Sequence, residues 1–178
     1  MTSTPKRKKI PQRGARHTAA GQASRPRMPR SYGLAKDLDG TRAWSELTER
    51  LATSRNYWIG TTRPDGRPHA MPVWGVWFEE TFYFATDRSS QKGRNLGANP
   101  ELIVHLESGE DVVVLEGVAE EVTNPANFTR IAEVYEAKYQ WRLEPNTPGQ
   151  VTYALRPRVA FAWLERSFTR SASRWVFR

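Results

Sequence analysis

Residues 82–100 read FYFATDRSSQKGRNLGANP, and within that run a strand has to give way to a helix. Phe82, Tyr83 and Phe84 are aromatic strand formers, and their run breaks at Thr86 and Asp87. A helical stretch over residues 92–99 stops before Pro100, whose ring cannot continue a helix. Ser89, Ser90, Gln91 and Lys92 gather hydroxyl, amide and ammonium donors where that helix begins. Unpaired backbone N–H groups at a helix start, joined by a lysine, make a site for an anion. A Ser-capped helix with solvated charges is the plainer alternative for the same residues.

The surrounding pattern is β-rich. Thr41 reads as an N-cap, followed by Trp44, Leu47 and Leu51 at i, i+3 and i+7 on one face of a helix that ends near Ser54. Strands are expected over 57–62 and 67–78, joined by the turn Arg63-Pro-Asp-Gly66. Glu79 and Glu80 turn the chain into the strand over 82–85. A hairpin follows over 102–107 and 112–122, then a helix capped by Asn124 with Pro125 in its first turn. Its Phe128, Ile131, Tyr135 and Tyr139 share a face. Two further strands over 151–155 and 159–164 flank Pro157, and a short one covers 174–177. Six or seven strands, mostly hairpin-connected, with helices appended outside, indicate a mainly β protein built as an antiparallel barrel.

Composition narrows the function. The chain has 178 residues and no cysteine, which excludes disulfides, iron–sulfur clusters, thiol nucleophiles and Cys-based zinc sites. His17, His69 and His105 are too scattered to suggest a metal site. No run is long and apolar enough to span a bilayer, and a cytoplasmic location is the expectation. The net charge of +8 belongs to one end. Residues 1–30 carry nine Lys or Arg and no acid, whereas the rest carries eighteen basic and nineteen acidic side chains. Residues 1–31 therefore read as a disordered basic tail, with the folded domain over 32–178. The KRKK cluster at residues 6–9 fits contact with nucleic acid or an acidic partner. It fits a solubilising arm better, because no aromatic residue interleaves it for base stacking.

The ordered series Phe82, Phe84, Thr86, Ser90, Lys92, Arg94, Asn95, Leu96, Asn99 and Pro100 resembles F-x-F-x-T followed by S-x-K-x-R-[QN]-L-x-x-N-P. This is the pattern of the pyridoxamine 5'-phosphate oxidase-like split β-barrel proteins, which bind FMN or deazaflavin coenzymes. The resemblance extends upstream through residues 57–73, YWIGTTRPDGRPHAMPV, and downstream through DVVVLEG at 111–117 and the terminal RWVF at 174–177, covering roughly residues 41–178. It implies a six- to seven-stranded split β-barrel, a homodimer, and a cofactor at the subunit interface. Lys92 would hold the cofactor phosphate with Thr86, Ser90 and Gln91, and Arg94 would touch the phosphoryl end or pair with a carboxylate. Met71, Pro72, Val73 and Trp74 would flank the ring. Pro72 fits a strand at a sheet edge or one opened by a bulge. His69 would reach the phosphate or the ring, or serve only as a structural group. Trp163 and Arg174 match positions that close over the cofactor near the subunit boundary, with aromatic core packing and a solvated basic end as their alternative.

Two departures shape the expected activity. True pyridoxamine-phosphate oxidases end in R-x-H-x-R, whereas this chain has Ser171-Ala-Ser-Arg174 and no histidine after His105, which argues against vitamin B6 oxidation. Asn95 gives K-x-R-N-L, similar to the branch that uses the deazaflavin coenzyme F420, and 21 Arg against 6 Lys suits a GC-rich genome. The expectation is an oxidoreductase moving a hydride to or from a small organic molecule, with F420 favoured and FMN close behind. Its acceptor pocket would be edged by Trp74, Trp77 and Trp163. No catalytic residue is identified, so a protein that sequesters or senses the coenzyme without turnover is the competing expectation.

Overall fold

Alternation of buried and exposed side chains carries most of the architecture. The computed structural model describes residues 21–177. Its strands are β1 (Asn56–Thr62), β2 (Pro68–Trp74), β3 (Val76–Phe78), β4 (Thr81–Asp87), β5 (Glu101–His105), β6 (Asp111–Glu121), β7 (Gln150–Leu164) and β8 (Ser173–Val176). Its helices are α1 (Trp44–Thr53), α2 (Gln91–Ala98), α3 (Pro125–Tyr139) and the short α4 (Phe168–Ser171). All pairings are antiparallel, in the order β2-β1-β5-β6-β7-β4-β3, with β8 added on β7. The sheet rolls into a split barrel, with helices appended outside it. β2 and β3 are consecutive in the chain and separated only by Gly75, so the two ends of the sheet are two halves of one interrupted strand.

Tyr57, Ile59, Phe82, Phe84, Val104, Val113, Leu115, Leu155 and Trp175 fill the interior. From α1, Leu47 and Leu51 are fully buried against it, each stabilising the fold by about 1.5–3 kcal/mol. A second cluster forms where α3 lays Ile131, Ala132, Tyr135 and Tyr139 over Val76, with Leu143 beside them.

Several elements differ from the sequence reading. Thr41 does not cap α1: its hydroxyl donates to the Leu38 carbonyl, and Ala43 stands at the N-cap without a side-chain bond. Arg42 anchors the helix start instead, through its backbone N–H to Ser173 Oγ and its guanidinium to Asp111 and Glu46. The expected strand over 67–78 is broken at Gly75, whose backbone N–H and carbonyl bond to Tyr139 and Lys138 and where a Cβ would sit 2.4 Å from the Phe82 ring and 2.8 Å from the Tyr83 carbonyl. Pro157 does not divide two strands. β7 runs through it by way of a bulge opposite Glu116 and Gly117, which absorbs a residue that cannot donate to the ladder.

The chain also joins the barrel before residue 32. Ser24 bridges to Arg174 by backbone bonds in both directions, and the Arg25 guanidinium donates to the carbonyls of Asp37, Asp39, Arg170 and Ala172. Residues 1–20, with the KRKK cluster, lie outside the described residues. Among the described residues no helix is long and apolar enough to cross a membrane.

Candidate functional site

The junction of β4 with α2 is built from local bonds. Asp87 Oδ1 accepts from the Ser89 N–H and hydroxyl, turning the chain out of β4. Ser90 is the N-cap: its Oγ accepts from the Gly93 N–H at 3.1 Å and lies 3.1 Å from Thr86 Oγ1. Gly93 is required because a Cβ would meet the Asp87 carbonyl at 2.4 Å, so α2 starts pressed against the end of β4. Among the described residues the backbone amides of Gln91 and Lys92 have no acceptor, and the Lys92 ammonium has no ion pair.

Thr61 of β1, Arg63 of the turn after it and His69 of β2 converge on this point. Asn95 is fully buried and donates to Thr61 Oγ1 at 2.9 Å, while accepting from Gln91 Nε2 at 2.8 Å. Thr61 Oγ1 lies 3.4 Å from His69 Nδ1 and 3.3 Å from the His69 carbonyl. The imidazole is held below the ordinary histidine range, first by burial and then by the positive charges of Arg63 and Lys92. Among the described residues, Arg63 Nε is buried without a hydrogen-bond partner. Its nearby carboxylate, Asp65, is taken by Arg67. Lys92, Arg63 and His69 are thus basic groups gathered at a helix start without neutralising acids, an arrangement that attracts an anion.

Alternation divides the expected ring-flanking residues. His69, Met71 and Val73 pair with Thr61, Ile59 and Tyr57 and share their inner face, whereas Ala70, Pro72 and Trp74 share the outer face with Gly60, Trp58 and Asn56. Val73 is sealed in the core. Met71 is 43% exposed although its partner Ile59 is 1% exposed, so the barrel is open to solvent beside Met71. The expected aromatic pocket does not assemble within one chain. Trp77 is buried in edge contact with Trp44, Trp74 stacks on Tyr139 of α3, and Trp163 stands edge-on to Phe168. Trp163 lies at the opposite end of β7 from the α2 junction, and Arg174 is the β8 partner of Phe161. Arg94 is folded back onto the Ser89 carbonyl and Gln91 Oε1. His105 is structural, stacked on Trp58 and bonded to the Leu106 carbonyl.

Arg63 escaped the sequence reading because it was absorbed into a turn, although a cation beside Pro-Asp-Gly was visible. The second polar cluster, at Gly75, was also missed. Tyr139 Oη accepts from the Gly75 N–H and lies 2.6 Å from the Arg55 carbonyl and 2.7 Å from that of Gly75. Lys138 Nζ donates to Tyr57 Oη at 2.7 Å and to the Gly75 carbonyl at 3.0 Å. Burial, helped by Arg55, pushes Lys138 down to about 8. Among the described residues no group of His, Cys, Asp and Glu is arranged to hold a metal.

The family model described as pyridoxamine 5'-phosphate oxidase matches residues 43–164. The chain belongs to that family. Solved structures agree on the fold of this family member. A conserved hypothetical protein of Mycobacterium tuberculosis, Rv2991, is 24% identical over 74% of this chain and 91% of its own, with a TM-score of 0.63. General Stress Protein 26 of Bacillus anthracis is 25% identical over 66% of this chain and 93% of its own, with a TM-score of 0.52. A heme binding protein of Mycobacterium smegmatis is 18% identical over 68% of this chain and 55% of its own, with a TM-score of 0.55. No curated protein matches the sequence.

Proposed function

We propose that this chain is an oxidoreductase that holds the phosphate of a deazaflavin or flavin coenzyme at the start of α2 and moves a hydride to or from a small organic molecule. The observation that carries the reading is the buried, unpartnered Nε of Arg63 beside two other basic groups, Lys92 and His69. Burying a guanidinium N–H without an acceptor costs about 1–3 kcal/mol, a cost that a phosphate oxygen would offset once the Arg63 side chain turns towards it. The residues present therefore fit a phosphate-bearing coenzyme. Lys92, Arg63, His69, Ser90 and the free amides of Gln91 and Lys92 would hold its anionic end, and Met71 lies on the open inner face where a ring has access. The coenzyme would supply the hydride chemistry, and the protein its grip and orientation.

F420 stands ahead of FMN on the K-x-R-N-L resemblance alone. Asn95 would act through Thr61 and Gln91, because its buried amide is not free to touch a ligand. Pyridoxamine phosphate is disfavoured as substrate. Where oxidases of that substrate carry R-x-H-x-R, Ser171 and Ser173 are buried and spend their hydroxyls on Leu164, Ser167, Ser171 and Arg42.

A homodimer with shared sites is part of this reading. The outer face of β2, β1 and β5 exposes Ala70, Pro72, Trp74 and Ile103 around the half-buried Trp58, an apolar patch of the kind that marks an interface. Trp163 and Arg174 would reach a coenzyme only from a second copy. Light scattering should give twice the chain mass. The coenzyme test is an absorption titration, in which a bound flavin gives a band near ~450 nm and a deazaflavin one near ~420 nm. Failure of both coenzymes to bind would overturn the proposal, whereas tight binding without turnover of quinone or enone acceptors would make the protein a coenzyme carrier.

A further inference from the structure

The hydrogen-bond chain behind the anion site has a property that a static phosphate cradle does not need. Gln91 Nε2 donates to Asn95 Oδ1, and Asn95 Nδ2 donates to Thr61 Oγ1. Both steps fix direction, because an amide NH2 only donates and an amide oxygen only accepts. The Thr61 hydroxyl therefore accepts one hydrogen bond and has its own hydrogen to donate. Two acceptors compete for it, His69 Nδ1 at 3.4 Å and the His69 carbonyl at 3.3 Å. With the hydroxyl turned to Nδ1, the imidazole is neutral and carries its proton on Nε2. With the hydroxyl turned to the carbonyl, Nδ1–H can donate to Thr61 Oγ1 and the ring can be a cation. Rotation of one hydroxyl accommodates both states without breaking the Asn95 bond.

We propose that His69 is a proton-coupled ligand of this site: entry of a dianion between Arg63 and Lys92 brings a proton onto its imidazole. The proposal rests on the coenzyme reading above. The proton comes from solvent, goes to His69 Nδ1, and leaves again with the anion. The charges that face His69 are Arg63 from the β1–β2 turn and Lys92 from α2, which both oppose its protonation. Asp87, at the end of β4, keeps its charge under the Ser89 hydrogen bonds, but the charges that act on the imidazole are those of Arg63 and Lys92. An arriving dianion reverses that balance, since an opposite charge at contact distance favours the charged imidazole. Binding then strengthens as pH falls, and a rise of one pH unit in the histidine midpoint corresponds to at most about tenfold in affinity.

Three histidines in the whole chain make the test direct. The imidazole resonances are followed by NMR from pH 5 to 8, with His69→Gln identifying the signal, in sulfate and in chloride at equal ionic strength. Sulfate stays dianionic throughout, so any titration belongs to the protein. The His69 midpoint should lie low in chloride and rise by about one unit in sulfate. Arg63→Gln should raise the chloride midpoint and shrink the sulfate effect. Sulfate should bind several-fold more tightly at pH 6 than at pH 8 in the wild type and show a smaller change in His69→Gln. An unmoved His69 midpoint, while the Gln91 and Lys92 amides shift with sulfate, would overturn the proton coupling and leave the anion site standing. Unmoved amides would overturn both.

Discussion

Two lysines sit in helices that pack on the same barrel, and they are treated in opposite ways. Lys138 of α3 is half-buried and donates hydrogen bonds to Tyr57 and to the Gly75 carbonyl, beside a tyrosine whose hydroxyl accepts from the Gly75 N–H. Lys92 of α2 has Arg63 and His69 for neighbours and no acid to pair with. The first cluster closes its hydrogen bonds within the chain. The second leaves donors open. A polar cluster that satisfies itself serves the fold, while one that leaves cations and amides unmet is arranged for something outside the chain.

Gly75→Ala should separate the two regions most sharply. A methyl 2.4 Å from the Phe82 ring has no room, and overpacking with a backbone shift costs about 1–3 kcal/mol or more; the fall should appear in the denaturation midpoint. A normal midpoint would mean that the strand break is not set by Gly75. Lys92→Ala should do the converse, weakening coenzyme binding by about 1.5–3 kcal/mol, as for a hydrogen bond to a charged group, with thermal stability held. Calorimetric titration and a melt on the same sample decide this, and equal damage to both would erase the distinction between the clusters.

Tyr139→Phe should cost about 1–2 kcal/mol of stability by stranding the Gly75 N–H, and should leave sulfate binding at α2 unchanged. A further effect is in pH. The folded state holds Lys138 near 8, below the unfolded value of about 10.4. Between those values the unfolded chain binds more protons, so stability relative to Lys138→Met should rise as pH climbs from about 8 to about 10.4 and be flat below that window. Urea midpoints at pH 7 and pH 9.5 test the sign.

The local features of the candidate site were legible in sequence: a serine at a helix start, a lysine two residues on, and a proline stop. Asn95 was legible as part of a motif, but its work was not, because Thr61 reaches it only after β1 and α2 are brought together. Arg63 and His69 became neighbours of Lys92 by the same long-range packing. Alternation along β2 could have been applied residue by residue, and it would have separated Met71 from Pro72 and Trp74. The fold's strands followed from aromatic and β-branched runs. Gly75 was opaque, since Val-Trp-Gly-Val-Trp reads as an unbroken strand until the Phe82 ring is placed against it. Pro157 misled in the opposite direction, because a bulge can carry a proline through a sheet that would otherwise exclude it.

The break at Gly75 also bears on how the barrel comes together. Its seam lies between β2 and β3, strands that follow one another in the chain, so joining the seam requires no loop to be closed. β1 with β2 and β3 with β4 are likewise neighbours in sequence. The pairings that close longer loops are β1 with β5, β6 with β7 across α3, and β4 with β7, and closing those loops carries the entropic cost that slows folding. The longest closures of this barrel therefore involve β4 and β5, the strands that flank α2 in the chain.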